Sequence, residues 1–165
     1  MTDGEAVRIR SMTAVDVPAF LDLIDALAEY EHLPGPEPEA RARLTADATA
    51  DPPPFHVLLA ERDGRAIGYA VYFMTYSTFL ARPTLYLEDV FVLDHERNRG
   101  VGTTFMRTLA AEAMRRGCGR LEWQVLTWNA PAISFYRGLG ASHLADWHAY
   151  RLTADQLQEL ADSGR

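Results

Sequence analysis

YLEDVFVL (Tyr86–Leu93) runs almost directly into RNRGVGTTF (Arg97–Phe105), and this junction decides the fold. The first stretch is apolar and β-branched, the signature of a strand, and the strand is expected over Thr84–Leu93. The second opens a helix over Gly100–Arg116, with Val101, Phe105, Leu109 and Ala113 recurring on one face. Arg115, Arg116 and Gly117 close it with a basic last turn and a glycine cap. A strand delivered through a glycine turn into a helix is half of a strand–helix–strand crossing. The turn is not a Walker loop, because no Gly-Lys-Ser/Thr follows, and it lacks the third glycine of the dinucleotide fingerprint. It has the parts of an anion site all the same. Gly100 and Gly102 permit close backbone approach, and the first helical N–H groups have no intrahelical partner. Arg97 and Arg99 add positive charge, and Thr103 and Thr104 add hydroxyls. A diphosphate fits these parts; a plain strand-to-helix connection explains the same residues.

Upstream, VRIRSM (Val7–Met12) alternates as a strand. Thr13 is placed to cap a helix running to about Tyr30, with Val17, Phe20, Leu21, Ile24, Leu27 and Ala28 at helical spacing. HLPGPEPE is a loop, and Glu39–Ala48 a poorer helix. FHVLLAE (Phe55–Glu61) and AIGYAVYFMTY (Ala66–Tyr76) form a hairpin through RDGR, followed by the loop STFLARP (Ser77–Pro83). Downstream, RLEWQVL (Arg120–Leu126) is a strand, and Asn129 caps a short helix with Pro131 in its first turn, ending near Leu139–Gly140. ASHLADWHAYRL (Ala141–Leu152) is expected as a last strand, and Thr153 as the cap of a last short helix. This order predicts an α/β fold with a mixed sheet flanked by helices.

The chain has 165 residues, enough for one domain with a core, and that domain is expected to span 1–165. A net charge of −7 and a pI near 5.2 argue against a nucleic-acid binder, which would show a basic stripe. The chain has no apolar run of the ~18 residues that a membrane helix needs. The polar N-terminus is no secretory signal, and a single cysteine, Cys118, suits a reducing cytoplasm. The histidines at 32, 56, 95, 143 and 148 lack zinc-ligand spacing, so no metal is expected.

R-x-x-G-x-G after a long strand resembles motif A of the GNAT superfamily of N-acetyltransferases, which holds the pyrophosphate of acetyl-coenzyme A. WNAPAISFYRGLGA (Trp128–Ala141) resembles the family's second signature, with an Asn and a helix-borne Tyr facing the cofactor. LYLED (Leu85–Asp89), AEYEH (Ala28–His32) and the STFLARP loop resemble the diamine (spermidine/spermine) and thialysine branch and its bacterial relatives. The resemblance covers nearly the whole chain. It implies a mixed, mostly antiparallel sheet of six to seven strands with about four helices. It also implies acetyl-CoA as cosubstrate, a small amine acceptor, direct transfer in a ternary complex, and a homodimer. Phe79, Leu80, Trp147 and Tyr150 offer side chains for an interface between copies.

By the same resemblance Tyr136 is the acid for the thiolate, since a phenol stays protonated at neutral pH. Glu88 is implied as the base for the amine; the plain alternative is a strand glutamate paired with an arginine. Regular alternation puts Tyr86, Glu88, Val90 and Val92 on one face and Leu87, Asp89 and Phe91 on the other. A backbone N–H near Phe91 or Val92 is expected to polarise the acetyl carbonyl. The cofactor contacts implied are Val90, Phe91, Val92, Arg97, Asn98, Arg99, Gly100, Val101, Gly102, Thr103, Thr104, Asn129, Pro131 and Tyr136. The amine contacts implied are Tyr30, Glu31, Glu88, Asp89, Ser77, Phe79 and His148. The polyamine enzymes carry carboxylates where this chain has Ser77 and His148, and a Trp where it has Phe79. These departures favour a small primary amine over a long polycation. A protein-lysine or N-terminal acetyltransferase and a non-catalytic coenzyme A sensor are the alternatives.

Overall fold

A sheet of five strands in the order β1-β2-β3-β4-β5 carries the N-terminal part of the chain. The computed structural model describes residues 6–164; the polar reading of residues 1–5 lies outside the described residues. The chain divides at Gln124/Val125 into two units.

In the first unit, β1 is Arg8–Ser11, β2 His56–Arg62, β3 Arg65–Ser77, β4 Arg82–Val92 and β5 Arg120–Trp123. The first four pair antiparallel and β5 runs parallel to β4. The β2–β3 turn places Asp63 and Gly64 both at positive φ, as a tight two-residue hairpin requires. Three helices accompany the sheet: α1 (Val17–Glu31), α2 (Pro38–Ala48) and α3 (Val101–Arg115). Thr13 does not cap α1 directly. It opens a 3₁₀ turn, Ala14–Asp16, that leads into it. From α1, Phe20 and Leu23 pack against Val57, Leu59, Tyr69, Val71 and Phe91 of the sheet. On α3 the buried side chains are Val101, Phe105, Met106, Leu109 and Ala113, the face expected from their spacing. Burying a side chain of this size contributes about 1.5–3 kcal/mol, so these two faces hold the helices to the sheet.

The second unit holds α4 (Ala130–Gly138) and α5 (Ala154–Asp162). Asn129 caps α4 by accepting the Ala132 N–H at 3.3 Å, and Thr153 caps α5 within a capping box.

The α/β fold is the one the sequence implies, with five strands among the described residues instead of six to seven, and five α-helices instead of about four. The expected strand over 141–152 does not form. Its large apolar residues, Leu144, Trp147, Tyr150 and Leu152, are spaced by three, three and two, so no period of two sustains a pleat. Within it the Trp147 N–H makes a local bond to Leu144 O.

Candidate active site

Strand β4 is irregular where its acids lie. Tyr72 pairs with Leu87 and Val71 with Asp89, so Glu88 is an extra residue with no partner on β3. This is a β-bulge. It resets the alternation expected for the strand. Leu87 shares a face with Tyr72, whose hydroxyl meets Glu112 of α3. Asp89 and Phe91 share the opposite face with Val71 and Tyr69, towards α1. Leu87 therefore parts from Asp89 and Phe91, a correction to regular alternation. The bulged Glu88 carboxylate acts on that of Asp89.

Glu88 is exposed and Asp89 is half-buried. Burial, then Glu88, then Glu31 push the Asp89 carboxyl up to about 6. Glu31 ends α1, and the Tyr30 ring beside it lies 6.4 Å from that of Phe91. Among the described residues no arginine or histidine forms an ion pair with Glu31, Glu88 or Asp89.

The ladder between β4 and β5 stops at Leu87–Trp123, so Glu88–Val92 has no strand in register on that side. The Leu93 N–H donates to Ile67 O at 3.0 Å. In an antiparallel pair, hydrogen-bonded and non-hydrogen-bonded residues alternate. Phe91 and Asp89 therefore point their N–H groups at β3, and Val90 and Val92 point theirs at the open edge. Of the two amides named from the sequence, Val92 is the one that faces outward. Gly68 lies opposite, and a Cβ there would stand 2.5 Å from Phe91 O and 3.3 Å from Val92 Cα. Only glycine lets β3 approach β4 so closely here.

The turn into α3 has the geometry of an anion site. Asn98 and Gly100 both take positive φ, and Gly100 caps α3 without a side chain accepting its first N–H groups. The amides of Val101, Gly102 and Thr103 occupy the first three helical positions, with the helix dipole behind them. Thr104 sits one turn in, its hydroxyl donating to Gly100 O at 3.0 Å. The arginines are committed elsewhere. Arg97 donates through Nε to Val92 O at 2.9 Å, and its guanidinium lies over the Tyr30 ring at 4.4 Å and near Phe91 at 5.6 Å. What Arg97 presents at the turn is its backbone. Arg99 reaches Glu96 at 3.6 Å, and buried Glu96 also pairs with Arg62 at the end of β2. The Arg62–Glu96–Arg99 group pins the turn to the sheet. Sequence reading missed Glu96, and its only signal was an acid between two basic residues of a loop.

Ser77 and Phe79 lie at the far end of the β3–β4 hairpin. Ser77 is buried and accepts the Leu80 N–H at 3.2 Å, while Phe79 is fully exposed at the tip. Six residues separate Ser77 from Val71, the partner of Asp89, or roughly 20 Å of strand. Within one chain these two residues are not brought to the acids.

The second unit carries Asn129, Pro131, Tyr136 and His148. Tyr136 stands on α4, its ring 5.4 Å from that of Phe135, and burial pushes its phenol up to about 12. A phenol so raised keeps its proton at neutral pH and can act as a donor. Asn129 is the α4 cap, with Pro131 in the first turn, and His148 is exposed. Cys118 is buried with its thiol 3.7 Å from the Met74 sulfur. Among the described residues no group of three or more His, Cys, Asp or Glu is placed to hold a metal ion.

The open-edged strand and the uncapped helix N-terminus lie within residues 20–141, the stretch that matches the sequence pattern of the acetyltransferase (GNAT) family. The chain belongs to this family and is an acetyl-CoA-dependent acyltransferase. It is 34% identical to the thialysine N-epsilon-acetyltransferase of Bos taurus over 94% of this chain and 97% of that one. An integron cassette protein from the mobile metagenome of V. cholerae superposes with a TM-score of 0.83 at 25% identity, over 97% of this chain and 100% of that one. An aminoglycoside N-acetyltransferase in complex with CoA shares the fold, with a TM-score of 0.75 at 22% identity, over 93% and 99% of the two chains. No helix among the described residues is long and apolar enough to cross a membrane.

Proposed function

We propose that this chain is a single N-acetyltransferase domain that moves acetyl from acetyl-CoA to the primary amine of a small molecule, in a ternary complex. A thialysine-like amino acid with a side-chain amine is the preferred acceptor, and polyamines are poor ones. The observation that carries this reading is the cluster of Glu31, Glu88 and Asp89, three carboxylates around one patch with no ion-paired cation among the described residues. An alkylammonium supplies the missing charge. The full-length similarity to a thialysine acetyltransferase supports the acceptor class. Against a polycation stands Ser77, a neutral side chain whose oxygen is engaged by the Leu80 N–H.

Acetyl-CoA supplies an activated acetyl thioester. Every other part of the chemistry belongs to the chain. The amides of Val101, Gly102 and Thr103 hold the diphosphate at the α3 N-terminus, with Asn98, Arg99, Gly100 and Thr104 shaping the turn. The outward N–H of Val92 polarises the acetyl carbonyl, with Val90 and Phe91 shaping the strand edge. Glu88, exposed on its bulge, takes the amine proton through water, a route its contact with solvent supports. Tyr136 gives its proton to the departing sulfur, with Asn129 and Pro131 supporting the cofactor. Tyr30, Glu31 and Asp89 hold the amine, while Phe79 and His148 come to it only through parts of the assembly beyond the acid cluster. We place the enzyme in the cytoplasm as a homodimer, with exposed Phe79 and Leu80 in the interface.

Thiol release measured with thialysine, lysine, ornithine, putrescine and spermidine tests this reading. Thialysine should give the highest kcat/KM, and spermidine at least tenfold less. Tyr136→Phe should lower kcat about 100-fold and leave acetyl-CoA affinity within about twofold. A spermidine efficiency equal to that of thialysine, or full activity in Tyr136→Phe, would overturn the corresponding part.

A further inference from the structure

Tyr69 has no solvent exposure, and its ring packs edge-on to Phe20 at 5.4 Å and against Phe91 at 6.3 Å. A phenylalanine would fill that space. The tyrosine adds a hydroxyl that is buried and has no aligned hydrogen-bond partner among the described residues, a costly state for a polar group. The groups around that hydroxyl are acids. Asp89 and Glu31 both bear on it. Tyr69 pairs with Phe91 and Val71 with Asp89, so Tyr69 and Asp89 are diagonal neighbours on one face, within reach of a long side chain. The carboxylate and the hydroxyl are close enough to act on one another, without the alignment of a full hydrogen bond. From β4, Glu88 faces Asp89; from the end of α1, Glu31 does so. The nearby cation, Arg97, is turned onto Tyr30 and Val92 O. The patch thus holds one unused donor and three carboxylates.

We propose that Tyr69 is a positioning residue of the amine site: its hydroxyl donates to one oxygen of Asp89 when a primary alkylammonium settles on the other. This rests on the amine-acetylating reading above and names the side chain that orients its anchor. Without a cation, burial and two neighbouring acids favour a proton on Asp89. A bound ammonium reverses that preference, the proton leaves Asp89 for solvent, and the ionised carboxylate becomes a strong acceptor for the phenol. Tyr69 keeps its own proton throughout, because burial and the same acids hold its phenol well above its ordinary range.

The test uses the full chain with ¹³C-labelled aspartate, as wild type and as Tyr69→Phe, saturated with CoA. The Asp89 carboxyl signal, assigned by its loss in Asp89→Asn, is followed from pH 4 to 8 with and without thialysine. In the wild type the midpoint should start near 6 and fall by about one pH unit with thialysine. In Tyr69→Phe the fall should be about half as large, and KM for thialysine should rise about fivefold with kcat within about twofold. The melting temperature should stay level or rise, since an unpaired buried hydroxyl is removed. An equal fall and an equal KM in both proteins would overturn the role of Tyr69 and leave the amine site standing. A wild-type midpoint that thialysine does not move would overturn both.

Discussion

Gly68 is the position where one added carbon tests the whole arrangement. In Gly68→Ala the new Cβ would meet Phe91 O at 2.5 Å, Val92 Cα at 3.3 Å and a ring carbon of Phe105 at 3.3 Å. A carbon against a carbonyl oxygen ordinarily stands at about 3.3 Å or more, so β3 and β4 must separate by roughly 0.8 Å. The obstacle is backbone, which cannot swing aside as a long side chain would. Overpacking of this kind costs about 1–3 kcal/mol, and the backbone clash puts it at the upper end. For a chain of this length, about 3 kcal/mol lowers the melting temperature by about 6–12 °C. The movement falls on Phe91 and Val92, and the outward Val92 amide is the one proposed above to polarise the acetyl carbonyl. Displacement of an aligned donor by nearly 1 Å should lower kcat by about tenfold or more. Acetyl-CoA affinity, which the proposal assigns to the α3 turn, should change by less than about threefold. Thermal melts, isothermal titration with CoA and thiol release would be run side by side. A melting temperature within about 1 °C of wild type together with unchanged kcat would refute both the close approach and the placement of Val92.

Two further outcomes are expected. Thr103→Glu puts a carboxylate at the third position of α3, where the dipole welcomes it, so stability should rise by about 0.3–1 kcal/mol; the same charge should weaken acetyl-CoA binding tenfold or more by calorimetry, and unchanged affinity would remove this turn from the cofactor site. Asp89 has its carboxyl raised from 3.8 to about 6, so the folded state binds that proton more tightly, a contribution fully present below 3.8 and lost as pH rises through 6. The gap corresponds to about 3 kcal/mol, so Asp89→Asn should melt several degrees above wild type at pH 8 and level with it at pH 4, with weaker amine binding; a pH-independent difference would contradict this.

Much of the fold was legible because its signals repeat. The apolar stripe Val101, Phe105, Leu109 and Ala113 fixed α3 to within one residue at each end, and RDGR fixed the β2–β3 turn through residues that tolerate positive φ. The caps Asn129 and Thr153 were readable because their oxygens bond locally, with no need of tertiary information. Other features were hidden for physical reasons. YLEDVFV reads as one strand whether or not Glu88 is bulged out, since only the partner strand reveals an unmatched residue. The direction of the Arg97 guanidinium depends on an aromatic ring more than 60 positions earlier in the chain. The resemblance implies Ser77 as an amine contact, and its oxygen accepts the Leu80 N–H in a turn that no sequence signal marks. Tyr69 left a faint trace, a hydroxyl at a core-facing position of an apolar strand. The amine and cofactor contacts proposed above come from motifs, whereas the Glu88 bulge and the Arg62–Glu96–Arg99 group carry no motif.

The bulge at Glu88 makes position 88 a socket. Because that residue has no counterpart on β3, the frame of the sheet is carried by Leu87 and Asp89 on either side of it. Exchange of Glu88 for another side chain therefore alters the chemistry presented at the strand edge without shifting any other residue out of register. Transplanting a different nucleophile, acid or metal-binding group into this scaffold would begin there, where the sheet imposes the fewest demands on what it carries.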